Sequence, residues 1–294
     1  MLDAAAELLA RACSFDRAGL VAAEKLFGAA PRIVDSREVG AVEVAALGAW
    51  VDAALAGVAC VAGNRLRVLA VEPALRGRGI GSALLAACEA RARVDGIATL
   101  RAVDQPGNYL APGIDEQNAE TIAWLERRGW QRGAEPRVNV LIDVRDNPRV
   151  SAARVAALTE RAAERGYEIR RARADERALL DAVAAEFGGA WPFELARALE
   201  REPPGVHVAL RDGAYCGFAA HDGNNAGLGW FGPTGTWPAH RGQGLGEVLL
   251  LACLVDVARD HARCEVAWIG PRPFYDKVAG IVAERRFIAM SRAL

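Results

Sequence analysis

One eleven-residue segment is written twice in this chain, and a duplicated fold is the simplest way to accommodate it. Val71-Glu72-Pro73-Ala74-Leu75-Arg76-Gly77-Arg78-Gly79-Ile80-Gly81 aligns without a gap on Thr236-Trp237-Pro238-Ala239-His240-Arg241-Gly242-Gln243-Gly244-Leu245-Gly246. Leu84-Leu85 then falls on Leu249-Leu250. The copies are too far apart for a solenoid, whose units run to roughly 20–50 residues, so the repeat is a whole domain. A length of 294 residues suits two such domains.

Each copy reads as strand, glycine-rich turn, helix. That order places backbone N–H groups at a helix N-terminus, where unpaired donors and the positive end of the helix dipole favour an anion. Alternate glycines permit unusual dihedrals and let a ligand approach without meeting a Cβ. Arg76 and Arg241 bring a guanidinium to a phosphate contact. The expected anion-binding residues are Val71, Arg76, Gly77, Arg78, Gly79, Ile80, Gly81 and Ser82, and in the second copy Thr236, Arg241, Gly242, Gln243, Gly244, Leu245, Gly246 and Glu247. A pyrophosphate is the natural occupant. The Rossmann fingerprint does not fit, because its last glycine or alanine is replaced by Ser82 or Glu247. The Walker loop does not fit either, since neither copy carries Gly-Lys-Ser/Thr.

The surrounding pattern argues for a mixed sheet. Strand-like stretches precede the first loop at residues 42–47, 57–62 and 66–71, with Gly63-Asn64 as a tight turn. Residues 3–28 read as helical, 82–93 as the helix after the loop, 99–103 as a strand, and 138–144 as a strand closing the first half. Asp146-Asn147-Pro148 is the best break, followed by a connecting helix that ends at Gly166. The expected domains are residues 1–146 and 167–294, with 147–166 connecting them.

These features resemble the GNAT superfamily of N-acetyltransferases, whose pyrophosphate motif Gln/Arg-x-x-Gly-x-Gly/Ala follows a strand that often ends Val-x-Pro. Arg76, Gly79 and Gly81 match it, as do Arg241, Gly244 and Gly246. A later helix in the superfamily often reads Phe-Tyr-Glu-Lys-x-Gly-Phe; Trp124-Leu125-Glu126-Arg127-Arg128-Gly129-Trp130 and Phe274-Tyr275-Asp276-Lys277-Val278-Ala279-Gly280 take that place here. The resemblance is weakest over residues 1–55 and 170–205. It implies an α/β (α+β) fold of two tandem GNAT domains, an arrangement for which mycothiol synthase is a family precedent. It implies acetyl-CoA as cosubstrate, bound along the strand ending at Val71 or Thr236, and acetyl transfer to a primary amine by direct attack in a ternary complex. It also implies Tyr275 as the acid that protonates the departing thiolate; the first half has Leu125 there.

Other candidates are less specific. Tyr109 and Asp115 lie on a long loop and are expected to contact the acceptor, Asp115 having a structural turn as its alternative reading. Glu72, Asp104, His221 and Asp222 are conceivable bases, each with a solvated or capping role as the plainer reading. A second reading of the whole chain is an acyl-CoA-binding or sensing protein with degenerate catalytic groups.

Bulk properties set limits on partners. A formal net charge of −1 gives no basic field for nucleic acid or an anionic membrane. The acceptor is expected to be a small-molecule or peptide amine, and the chain a monomer or homodimer. Cysteines 13, 60, 88, 216, 253 and 264 form no CxxC, and the four histidines form no HxxxH or HExxH pair, so reduced thiols and no metal are expected. Residues 1–12 carry Asp3 and Glu7 and read as a short helix, not a signal peptide. No run approaches the roughly 20 apolar residues of a membrane span, and a cytoplasmic location is expected.

Overall fold

The computed structural model describes every residue except Ser14. The chain begins α1 (Leu2–Ala12), α2 (Ala22–Phe27), β1 (Pro31–Val34), β2 (Arg37–Ala41), β3 (Val44–Val51), β4 (Ala54–Ala62), β5 (Arg65–Val71), α3 (Ile80–Val94), β6 (Thr99–Ala102), β7 (Ile114–Asp115), α4 (Ala119–Glu126) and β8 (Gln131–Arg132). It continues β9 (Arg137–Asp143), α5 (Ala152–Ala163), β10 (Glu168–Arg171), α6 (Arg177–Glu186), α7 (Trp191–Leu199), β11 (Val206–Arg211), β12 (Ala214–His221), β13 (Trp230–Thr236) and α8 (Leu245–Val257). It ends β14 (Arg263–Val266), α9 (Arg272–Ala279), β15 (Ala283–Ile288) and β16 (Met290–Ala293).

Two compact units divide the chain. The first holds Met1–Ile33, Val39–Val138 and Arg285–Leu294, and the second Val34–Glu38 and Asn139–Glu284. In the first, the sheet order is β3-β4-β5-β6-β16-β8, antiparallel except for the parallel pair β5 and β6. In the second, it runs β10-β11-β12-β13-β14-β9, with β13 and β14 parallel. This mixed sheet is the expected one, but its closing strand is not. Residues 138–144 pair with β14 of the second unit (Val140↔Val266, Ile142↔Cys264), while β16, from the end of the chain, sits between β6 and β8 in the first. Both are short strands, and a two-residue alternation fixes which face is buried but not which neighbour is chosen.

Local chemistry explains most element ends. Asp212 and Gly213 both take positive φ, the signature of the tight turn joining β11 to β12. Ser151 caps α5 by accepting the N–H of Arg154, and Gly166, at φ 81°, follows the helix end. The helix expected over residues 3–28 is broken into α1, a 3₁₀ turn and α2, with Arg17 in the left-handed region before the turn. Gly19 sits so close to α1 that a Cβ there would lie 2.7 Å from the Ala10 Cβ.

The first core gathers Leu84, Leu85, Cys88 and Ala92 of α3 with Ala59, Leu66, Leu100, Trp130 and Met290. In the second, α8 is apolar on all sides and nearly all of it is buried, as its sequence demands. Leu179, Val183 and Leu195 of α6 and α7 cover Val206, Val208 and Phe218. One carboxylate pins the far end of α8. Asp256 accepts two bonds from Arg171 of β10 (2.7 and 2.6 Å) and one from His207 of β11 (2.7 Å), and lies 3.7 Å from Nε2 of His221 on β12. Burial opposes its ionisation, but hydrogen bonds from His207 and Arg171, with the His221 imidazole nearby, outweigh that and hold its carboxyl well below the usual carboxylate range.

Two stability measurements follow from this packing. Met290→Ala, near the chain end yet fully buried, is expected to cost about 2–4 kcal/mol in denaturant unfolding. Asp256→Asn is expected to cost about 2–3 kcal/mol at neutral pH, since the half-buried Arg171 loses its counter-charge and a charge-assisted hydrogen bond. Because the folded pKa is depressed, that contribution is present above pH 4 or so and fades on acidification. Parent and variant therefore converge in stability as pH falls below about 4.

Candidate functional site

The two glycine-rich segments fold alike in their backbone turns. The strand edge is held by Glu72 N–H to Ala56 O at 2.9 Å in the first copy and Trp237 N–H to Cys216 O at 3.0 Å in the second. A single 3₁₀ turn follows, Pro73–Leu75 or Pro238–His240, with Arg76 and Arg241 extended after it. Gly77 and Gly79 then take φ of 79° and 86°, and Gly242 and Gly244 take 76° and 74°. These are left-handed values that demand glycine; a Cβ at Gly77, Gly79 or Gly242 would meet no described atom within 4 Å, so conformation and not crowding fixes the residue. Neither α3 nor α8 has a side chain capping its first turn. An uncapped first turn of this kind suits an anion.

A second glycine in each unit seats the loop-bearing helix. Gly57 pairs with Val71 across the sheet, and Gly217 with Thr236. A Cβ on Gly57 would stand 2.9 Å from Cδ1 of Leu84, and one on Gly217 would stand 3.0 Å from Cδ1 of Leu249. The two leucines are the ones that the sequence repeat already aligned.

Beside each loop the parallel strands part. β5 pairs with β6 only at Arg65↔Arg101 and Leu66↔Ala102, and β13 with β14 only at Trp230↔Glu265 and Phe231↔Val266. Leu66 and Phe231 are equivalent in the repeat, so both sheets open at the same place. The backbone beyond, residues 67–71 and 232–236, runs on to the glycine loop with no further register pair on that side.

The helices α4 and α9 face these loops in the same way. A Cβ at Gly81 would lie 3.6 Å from Trp124, and one at Gly246 would lie 3.5 Å from Phe274. Leu125 and Tyr275 thus hold corresponding places, both buried. Tyr275 packs edge-on against Phe231, the last residue of β13 paired with β14, and against Phe274. Burial, with a smaller effect of nearby Cys264, pushes its phenol up to about 12.

Most of the other candidate polar residues have structural partners. Asp104 is buried and faces three guanidiniums, Arg65 at 2.8 Å, Arg101 at 2.5 Å and Arg137 at 2.6 Å. Glu72 is paired with Arg11 at 2.8 Å. His221 and Asp222 are both buried and bonded to each other at 3.1 Å. Asp115 is buried, accepts from Arg285 at 2.9 Å and caps the turn at Gln117. Tyr109 is half-buried in a loop that is otherwise packed down. Asn108 in that loop donates to the carbonyls of Glu24, Gly28 and Ala29 and accepts from the fully buried Lys25 at 2.9 Å. Arg67, on the open stretch of β5, donates to the same Glu24 and Gly28 carbonyls. This loop is a fixed wall.

Two contacts at the loops had no signal in the sequence. Ser82, in the first turn of α3, accepts from Arg128 at 2.9 Å, and the guanidinium lies over the Trp124 ring. Glu247, in the first turn of α8, accepts from Arg154 of α5 at 2.7 Å. The partners are 46 and 93 residues apart, and no local pattern joins them.

Comparison with known proteins agrees with this geometry. Residues 34–132 match the acetyltransferase (GNAT) domain and residues 176–280 the acetyltransferase (GNAT) family, together more than half of the chain. No curated protein matches. Among solved structures, a tandem GNAT protein from the clavulanic acid biosynthesis pathway has a TM-score of 0.60 at 20% identity, over 98% of this chain and 96% of that one. A GCN5-related N-acetyltransferase from Sphaerobacter thermophilus gives 0.60 at 19% identity, over 99% and 91%. A GCN5-related glucosamine N-acetyltransferase region of a fungal multi-domain GH3 β-N-acetylglucosaminidase gives 0.73 at 16% identity, covering 99% of this chain but 36% of the fungal one. With the loops, the parted strands and both sequence matches in agreement, the chain belongs to the GNAT acetyltransferase family and carries two of its domains in tandem.

Proposed function

We propose that the chain transfers an acetyl group from acetyl-CoA to a small-molecule or peptide amine, and that the second unit carries out the transfer. The observation that carries this reading is Tyr275, a phenol at the edge of the second cleft where the first has Leu125. The open, glycine-lined loops suit a diphosphate in both units. The first cleft, by contrast, is bordered by the packed wall of Asn108, Lys25 and Arg67, while the segment after β14 is short and exposed.

In the transfer, the neutral amine attacks the thioester carbonyl and the C–S bond breaks. The amine gives up a proton to solvent, and the departing thiolate takes one from the Tyr275 hydroxyl, which solvent then restores. A backbone N–H on the unpaired stretch of β13 suits the developing oxyanion. With a thiol pKa of about 8.5, the leaving group gains from a donor that is still protonated at working pH. Tyr275 meets that condition, since its raised pKa keeps the proton in place.

Calorimetric titration with acetyl-CoA, followed by turnover of an amine library, tests the reading. Tyr275→Phe is expected to lower kcat about 10²-fold with little change in cofactor affinity. Because ionisation of Tyr275 is pushed up to about 12, kcat should not fall between pH 8 and pH 10. Full turnover in Tyr275→Phe would remove Tyr275 from this role, whereas a parental alkaline loss near pH 9 that the variant lacks would keep the role and overturn the raised pKa.

A further inference from the structure

The connecting helix α5 does more than join the two halves. Its first turn sends Arg154 to Glu247 in the first turn of α8, with Nη1 anchored on the carbonyls of Arg149 and Val278, both at 2.8 Å. Just past its other end, Nη2 of Arg165 lies 3.9 Å from where a Cβ of Gly244 would be, over the glycine loop itself. Nε of Arg165 is held by the carbonyl of Arg161 at 3.1 Å, which aims the fork. Two residues on, the hydroxyl of Tyr167 bonds Nδ1 of His240 at 3.1 Å, with the rings edge to face, so this end of the helix is moored to the loop.

The first loop has a different neighbour. There α1 supplies Arg11, whose charge is spent on Glu72, and the carbonyl of Ala12 captures Arg76 at 3.2 Å. Arginine guanidinium is suited to phosphate because its planar fork offers parallel donors. We infer that Arg165 is an additional cofactor-binding residue of the second site, closing over the diphosphate from outside the GNAT sheet, and that Arg154 neutralises Glu247, which would otherwise repel that diphosphate. This makes the second loop the tighter acyl-CoA site. The inference rests on the reading of these loops as acyl-CoA sites, and the experiment separates the two.

CoA is titrated by calorimetry into chains that all carry Arg76→Glu, so that the second loop is followed. Adding Arg165→Ala should weaken binding about tenfold, Arg165→Lys should recover part of the loss, and Arg161→Ala, one turn earlier on the same helix, should change it less than twofold. Raising salt should narrow the gap between parent and Arg165→Ala, as screening weakens a charge contact at the surface. Unchanged affinity in Arg165→Ala, or an equal loss in Arg161→Ala, would overturn the role of Arg165 while leaving the loop reading intact. If CoA binds equally well when Arg241→Glu is added, the loop reading itself fails and this inference falls with it.

Discussion

Everything at the site depends on two parallel strands that stay together for two residue pairs and then part. After Leu66 in one unit and Phe231 in the other, the central strand runs on toward the glycine loop with no further register pair to its parallel neighbour. An open edge inside a sheet is costly unless something polar comes to meet it. The surrounding features all serve to keep that edge open and reachable. The glycine of the neighbouring strand lets the helix settle to within contact of a leucine, and the left-handed glycines turn the chain sharply into that helix. The tail of α8 is then held by Asp256 against three successive strands, so its N-terminus keeps its aim. Geometry at the loop is thus fixed from the opposite end of the helix.

The two units share this frame and differ in what surrounds it. In the first, a long segment after β6 is nailed down by Asn108 to three backbone carbonyls, and a lysine is buried beside it. In the second, the aromatic residues Phe187, Trp191, Phe218 and Trp237 pack mostly edge to face near the loop, and an arginine-bearing helix runs past it. Duplication preserved the loop because its dihedrals admit no substitute. It left the flanks free to diverge, since their chemistry is carried by ordinary side chains.

What could be read in the sequence follows the same division. The loops were legible because glycine at positive φ leaves a trace at a fixed spacing, and the Trp124/Phe274 correspondence was legible by counting along a helix. The contacts of Asn108, Arg154 and Arg165, and that of Asp115 with Arg285, were not, because each joins residues distant in the chain through side chains with no periodic pattern. The destination of residues 138–144 was hidden for another reason. Val140 and Ile142 alternate as a strand should, but alternation is the same whichever sheet receives it.

The placement of β16 bears on how the protein is made. A ribosome releases the first 138 residues well before the last ten, yet the first unit takes in Arg285–Leu294 and holds Met290 in its core. Until residues 285–294 have been translated, β6 and β8 lack the strand that lies between them, and the nascent sheet carries a slot where backbone groups wait for water or a wrong partner. The usual order, in which an N-terminal domain is finished while its successor is still being translated, does not apply to this chain. Its first acetyltransferase domain closes only after the second has been translated.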